Sequence, residues 1–188
     1  MEKIEFVNHS GGAAGADTWF ELEGARYGVK TVAYSFSGHS TNSKNAKKLN
    51  DLELEEGLRK VLITAPSINR DITYQTRYVR NLLSRNWFQV KNSDAIYAVA
   101  SFQNNPHTIV NGGTGWAVQM AIDSCKNVYV FDQNQSKWFA YDYVQKRFRP
   151  LAQIPKLTPH FAGIGSRTLH ETGAVAITEL YEFNLHKI

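Results

Sequence analysis

Apolar residues along this chain fall into short, near-continuous runs separated by stretches of helical period, and the two patterns alternate. IEFVNHS, KTVAYSF, DAIYAVAS and NVYVFDQ are β-rich runs of the kind buried on both faces of a sheet. Between the first two, AAGADTWFELEGARYG has the apolar spacing of a helix closed by Gly28. Asn50 and Glu53 make a capping-box signature ahead of Leu54, Leu58, Val61 and Leu62, a helix expected to run to Pro66. A further helix is expected from near Asn69, with Ile72, Val79, Leu82 and Leu83 on one face and Arg70, Arg77 and Arg80 on the other. TIVNGGTGWAVQMAIDSCK joins a glycine turn to another helix, and KWFAYDYVQKRFRPL alternates aromatic with polar residues as an antiparallel edge hairpin does. SGHSTNSKNAKK and FQNNPH carry no periodicity and read as loops, the first of them mobile, and LAQIPKLTP is a proline-punctuated connector. FAGIGSRTLHETGAVA ends the series with one more strand, glycine turn and helix.

Strands alternating with helices predict an α/β chain: a Rossmann-like, doubly wound, mainly parallel sheet with an antiparallel edge hairpin, built as a single domain over residues 1–188. In such sheets ligands bind beyond the carboxyl ends of the strands. The glycine turns at residues 10–17, 111–115 and 163–167 all follow strands, so they are expected to converge on one crevice.

Composition narrows the function classes. The single cysteine, Cys125, excludes an internal disulfide framework, and its place on an apolar helix reads most simply as core. MEKIEFVNHS has neither the basic nor the long apolar region of a signal peptide, and no window approaches about 18 consecutive apolar residues, so the expected location is the cytoplasm. A formal charge of +4 is a mild bias towards anionic partners, short of the clustered basic stripe of duplex-binding modules. There is no GK[ST] after the glycines and no GxSxG elbow, which disfavours a Walker-type triphosphatase and an elbow-type hydrolase. His9 reads as a structural residue at a strand end, the histidines show no metal-ligand spacing, and neither a metal nor a cofactor is expected.

A glycine turn opening a helix presents backbone N–H groups without Cβ obstruction, which suits a phosphate. Gly11, Gly12, Gly15, Gly112, Gly113, Gly115, Gly163 and Gly165 are candidates for that role, with Ser10, Thr114 and Ser166 adding hydroxyls; the other reading is that they permit tight turns and close packing. Arg167, just past AGIGS, is placed to clamp a phosphate bidentately. Arg70, Arg77, Arg80 and Arg85 form either a second cationic wall, in which Arg80 is a candidate contact, or a solvated face. Asp17 either complements its helix dipole or accepts hydrogen bonds from ribose hydroxyls, and Trp116 and Trp19 either stack on a base or belong to the core. Glu21, one turn further along, faces either the sheet or solvent.

SGGAAGAD, NGGTGWAVQMA and AGIGSR together resemble the SLOG superfamily, the Rossmann-like group that includes the lonely-guy phosphoribohydrolases and DNA-processing protein A. RNWFQVKNSDAIYAV is similar to the arginine-asparagine helix end and following strand of its phage-type members. In that family the AGIGSR unit comes first and SGGAxGAD follows, so the resemblance implies a circular permutation: residues 160–188 supply the topologically first strand and helix, and residues 160–165 insert beside residues 5–9. A tail that swaps into a neighbouring subunit, or forms a separate cap, is the other arrangement open.

The resemblance implies a nucleotide or nucleotide-derived ligand, such as a ribose phosphate, an ADP-ribose-like species or a cyclic nucleotide, held by the three turns and sensed or sequestered. It also implies a homo-oligomer paired through helices beside the site; separately, the aromatic hairpin around Trp138, Phe139, Tyr141 and Tyr143 is either a second contact surface or the cover of a sheet edge. Lonely-guy hydrolases carry PGGxGTxxE, whereas this chain has NGGTGWAVQ, with Asn111, Trp116 and Gln119 in place of proline, threonine and the catalytic glutamate. An amide positions a ribose but does not act as a general base, so ligand binding leads and N-glycoside hydrolysis through Asp17 or Glu21 is the alternative. Single-stranded DNA binding is a third reading, marked by steep salt dependence.

Overall fold

The computed structural model describes residues 4–103 and 107–186. Part of the irregular FQNNPH stretch, residues 104–106, lies outside these, as do residues 1–3 and 187–188. The elements run β1 (Val7–Ser10), α1 (Ala16–Ala25), β2 (Lys30–Ser35), β3 (Ala46–Lys48), α2 (Asp51–Thr64), a 3-10 turn (Ala65–Ile68), α3 (Arg77–Lys91), β4 (Ala95–Ala100), α4 (Thr114–Asp123), β5 (Asn127–Asp132), β6 (Lys137–Asp142), β7 (Arg147–Pro150), β8 (His160–Gly165) and α5 (Glu171–Asn184). They build an eight-stranded sheet in the order β3-β2-β1-β8-β4-β5-β6-β7, parallel except for β6 and β7, which pair antiparallel at one edge.

The last strand therefore sits at the centre of its own chain's sheet, between β1 and β4, in the place the implied permutation gives it and not in a separate cap. Its residues explain why it fits there. Phe161, Ala162 and Ile164 are buried, and the alternate glycines let a helix press against the strand. A Cβ on Gly163 would lie 2.4 Å from the Phe20 ring, and one on Gly165 would lie 2.7 Å from Ala16 Cβ. The connector brings the chain from the far edge back to this position. Asn184 Oδ1 accepts from the Leu157 amide at 2.9 Å, the Tyr97 hydroxyl accepts from the Thr158 amide at 3.2 Å, and the Val7 amide donates to the Pro159 carbonyl at 2.7 Å.

Helices α1 and α5 cover one face of the sheet, where Phe20, Ile177, Leu180 and Tyr181 pack on Tyr97 and Phe161. Helices α2, α3 and α4 cover the other, packing through Val61, Phe88, Val118 and Met120 on Ile96, Ala98 and Ile164. Trp138, Phe139 and Phe148 of the edge hairpin are buried, whereas Val144 at its tip is exposed.

Several local expectations are corrected. The capping box at Asn50 and Glu53 is present, but the next helix begins at Arg77 rather than near Asn69. Asn69 takes a left-handed conformation (φ 51) closing the 3-10 turn, and Thr76 caps α3, its hydroxyl accepting from the Val79 amide. Ile72 and Arg70 therefore belong to a loop. AKK, within the stretch read as a loop, forms the short edge strand β3, which pairs with β2 through its backbone while all its side chains are exposed. Cys125 is exposed at φ 54 just after α4, not in the core, and Trp19 is 36% exposed.

Candidate functional site

The crevice opens where β1 and β8 part. Their ladder covers only Val7↔His160 and Asn8↔Phe161. Beyond it, the Gly163 and Gly165 amides donate to side chains instead of a strand: Asn8 Oδ1 at 2.9 Å and Asp17 Oδ1 at 3.0 Å. These two side chains satisfy the strand's buried donors while letting its neighbour diverge. The strand order reverses direction at the same place, so the carboxyl ends of β1, β8, β4 and β5 surround a crevice of ≈ 820 Å³. That falls within the range of about 300–1,000 Å³ common for small-molecule sites.

Asp17, buried at the floor, ties the first and third glycine turns together. Its Oδ2 accepts from the Gly11 amide at 3.1 Å and the Ala13 amide at 3.5 Å, while its Oδ1 holds Gly165. The turns also touch directly. A Cβ on Gly15 would lie 2.4 Å from the Ser166 carbonyl, and the Ala16 amide donates to that same oxygen at 3.1 Å. Glycine is thus required at position 15 for close approach and for its positive φ of 89.

Arg85 of α3 lies beside Asp17 and is only 6% exposed, although it lines the crevice. One guanidinium nitrogen donates to the Gly11 carbonyl and, at 3.4 Å, to the Tyr34 carbonyl, whereas the buried Nε has no partner. Burial dominates both charges. It pushes the Asp17 carboxyl up to about 6 against the opposing pull of Arg85 and the three amides, and it lowers the Arg85 guanidinium despite Asp17. The pair is therefore electrostatically under-compensated.

Arg167, exposed at the mouth, lines the same crevice and has no ion-pair partner among the described residues. Its charge reaches inward: His39 is held down at about 4, mainly by burial and then by Arg85 and Arg167. One end of the crevice is accordingly cationic.

The opposite wall is the turn before α4. Arg70 donates to the Gly112 carbonyl at 2.7 Å and the Val110 carbonyl at 3.2 Å, Asn86 Nδ2 donates to the Gly113 carbonyl at 3.4 Å, and Arg70 lies 5.8 Å from the centre of the Trp116 ring. Arg70 thus fixes the turn instead of standing free as a cation. Ile72, Val79, Leu82 and Trp116 give this side of the crevice an apolar lining.

The structure gathers Asp17, Asn111, Gly112, Gly113, Thr114, Trp116, Gly165, Ser166 and Arg167 around the crevice. Ser10, Gly11, Gly12 and Gly15 lie behind its wall, where Ser10 Oγ accepts from the Gly12 amide at 3.0 Å. Gly163 sits under the Phe20 ring, and a Cβ on Gly115 would lie 2.1 Å from the Val110 carbonyl, so these two serve packing.

Three candidates point elsewhere. Gln119 donates to Asp123 Oδ1 at 2.9 Å on the outer side of α4. Glu21 accepts from Ser43 Oγ and Asn45 Nδ2, both at 2.9 Å, and so anchors the loop before β3. Arg80 donates to the Thr73 carbonyl, and with Arg77 it lines a separate shallow groove against α2.

Arg85, which the sequence leaves between a second cationic wall and a solvated face, is buried at the crevice, and its neighbours Asn86 and Gln89, which the sequence reading does not single out, are also buried and line it. The available signal was density of polar residues: SRNWFQ keeps Ser84, Arg85, Asn86 and Gln89 below 9% exposure within one helix. Gln133 at the end of β5 completes the rim, its Oε1 accepting from the His170 amide at 2.7 Å and its Nε2 donating to the Thr168 carbonyl at 3.1 Å. No protein-family model, curated protein or solved structure matches this chain.

Proposed function

We propose that the crevice binds a nucleotide or nucleotide-derived ligand, with its phosphate towards Arg85 and Arg167 and its base towards the apolar wall at Trp116. The observation that carries this reading is the buried Arg85 guanidinium, which lines the crevice at the sheet's switch point with its Nε unpartnered. The motifs resembling the SLOG superfamily support the same ligand class. A cationic end and an apolar wall suit a molecule with a phosphate at one end and a flat ring at the other.

Binding is favoured over hydrolysis because Glu21 and Gln119 face away, and Asp17 is engaged with three amides. The Asp17 carboxyl, raised to about 6 and lining the crevice, is the one feature that favours the N-glycosidase reading. Purified protein incubated with AMP, ADP-ribose and NAD separates the two. Saturable, micromolar binding is expected, with the ligand recovered intact. Free adenine or nicotinamide released by the wild type and not by Asp17→Ala establishes the hydrolase instead, and absence of binding to all three compounds rejects the nucleotide reading.

A further inference from the structure

We infer that an anion seated against Arg85 is bound together with a proton, taken from solvent by the Asp17 carboxylate beside it. This rests on the anionic ligand proposed above, and it adds that the site's affinity is tied to pH.

Three features of the geometry lead there. The two charges meet over Gly11: a Cβ at that position would lie 2.3 Å from an Arg85 guanidinium nitrogen, 2.5 Å from Gln89 Nε2 and 2.6 Å from Asp17 Oδ2. Both residues line one crevice, so an anion reaching the guanidinium also approaches the carboxylate. Both are shielded from water, Asp17 being 5% and Arg85 6% exposed, so repulsion between the anion and the carboxylate is weakly screened.

In the free protein the guanidinium is the largest of the influences that oppose burial at Asp17, ahead of the amides of Gly165, Ala13 and Gly11. An incoming phosphate takes a share of that positive charge and adds a negative one, and both changes favour the protonated acid. The Asp17 carboxyl already stands at about 6, so the proton is within reach near neutral pH. Arg85 on α3 faces Asp17, and Arg85 in turn faces Arg167 after β8 and Tyr78 on α3. His39, in the loop before β3, faces Arg85 and Arg167 and is a second group able to gain a proton when an anion arrives, and His170 also lines the crevice.

Calorimetric titration with ADP-ribose provides the test, because its diphosphate diester lacks the secondary ionisation near pH 6 that a phosphate monoester brings. Binding enthalpies measured at pH 6.5 in buffers of different ionisation enthalpy count the protons taken up. The expected result is net uptake of a substantial fraction of a proton, an affinity that falls roughly tenfold between pH 6 and pH 8, and the same uptake in His39→Gln. Asp17→Asn, if it folds, is expected to bind without uptake. ADP-ribose binding with no proton uptake, or uptake lost in His39→Gln, overturns this inference while leaving the nucleotide reading intact. A failure to bind at every pH removes both.

Discussion

Asp17→Ala is expected to destabilise the fold by about 3 kcal/mol at pH 7 and by about 2 kcal/mol more at pH 4.5, measured by urea unfolding of variant and wild type at both values. The loss at pH 7 has two sources: the amides of Gly11, Ala13 and Gly165 lose their acceptor, and Arg85 becomes a buried cation with no counter-charge. The pH dependence follows from the direction of the shift. The carboxyl stands at about 6 in the folded chain against an ordinary 3.8, so the native state holds the proton more tightly than the unfolded state does. Its contribution is then greatest below pH 4 and declines as the pH rises through 6. Most surface carboxylates behave in the opposite way, as Glu56 does: Lys91 and Trp87 hold it low, so its contribution is lost on acidification. Comparing the variant with wild type cancels those other groups. An Asp17→Ala penalty that is the same at both pH values means the carboxyl is not raised and the electrostatic account of the floor is wrong.

Arg85→Met is expected to weaken nucleotide binding about 100-fold while leaving a cooperative unfolding transition. A charge-assisted hydrogen bond contributes roughly 1.5–3 kcal/mol net, and removing one such bond from a micromolar complex of about 8 kcal/mol is enough for that factor. Methionine keeps the apolar bulk of the side chain, and the Asp17 carboxyl left behind escapes part of its penalty by taking up a proton. Arg80→Met serves as the comparison, since Arg80 donates to the Thr73 carbonyl away from the crevice and its replacement is expected to leave affinity unchanged. Equal affinities for Arg85→Met and wild type remove Arg85 from the site.

The architecture was legible because β propensity and helical period alternate cleanly in this chain, and because a fully buried strand such as AIYAVA announces itself. The central position of β8 was suggested for a different reason: the resemblance of three motifs to the SLOG superfamily implied a permuted order of units while leaving a swapped or capping tail open, and periodicity alone does not choose between these. Near the site, legibility ended where tertiary contact outweighs local pattern. Arg85 sits on the polar side of a helical wheel, but the wheel does not know that Asp17 and the Gly11 carbonyl lie opposite it. Arg70 looks like one more cation on that face, yet the left-handed Asn69 turns the chain so that Arg70 reaches the carbonyls of Val110 and Gly112. Gln119 occupies a motif position that suggests a ligand contact, and the rotation of α4 about its axis aims it at Asp123. β3 escaped notice because its three exposed residues, AKK, join the sheet through backbone pairing with β2 and carry no apolar signal.

Three separated chain segments line one crevice around Arg85, which we propose holds an anion. Backbone amide chemical shifts recorded during titration with ADP-ribose test it most directly. The largest perturbations are expected to cluster at Ala13, Gly112, Gly113, Gly165, Ser166 and Arg167, with the Arg85 Nε–H resonance moving in step. Perturbations confined to the shallow groove of Arg77 and Arg80 against α2, with the three turns silent, contradict it.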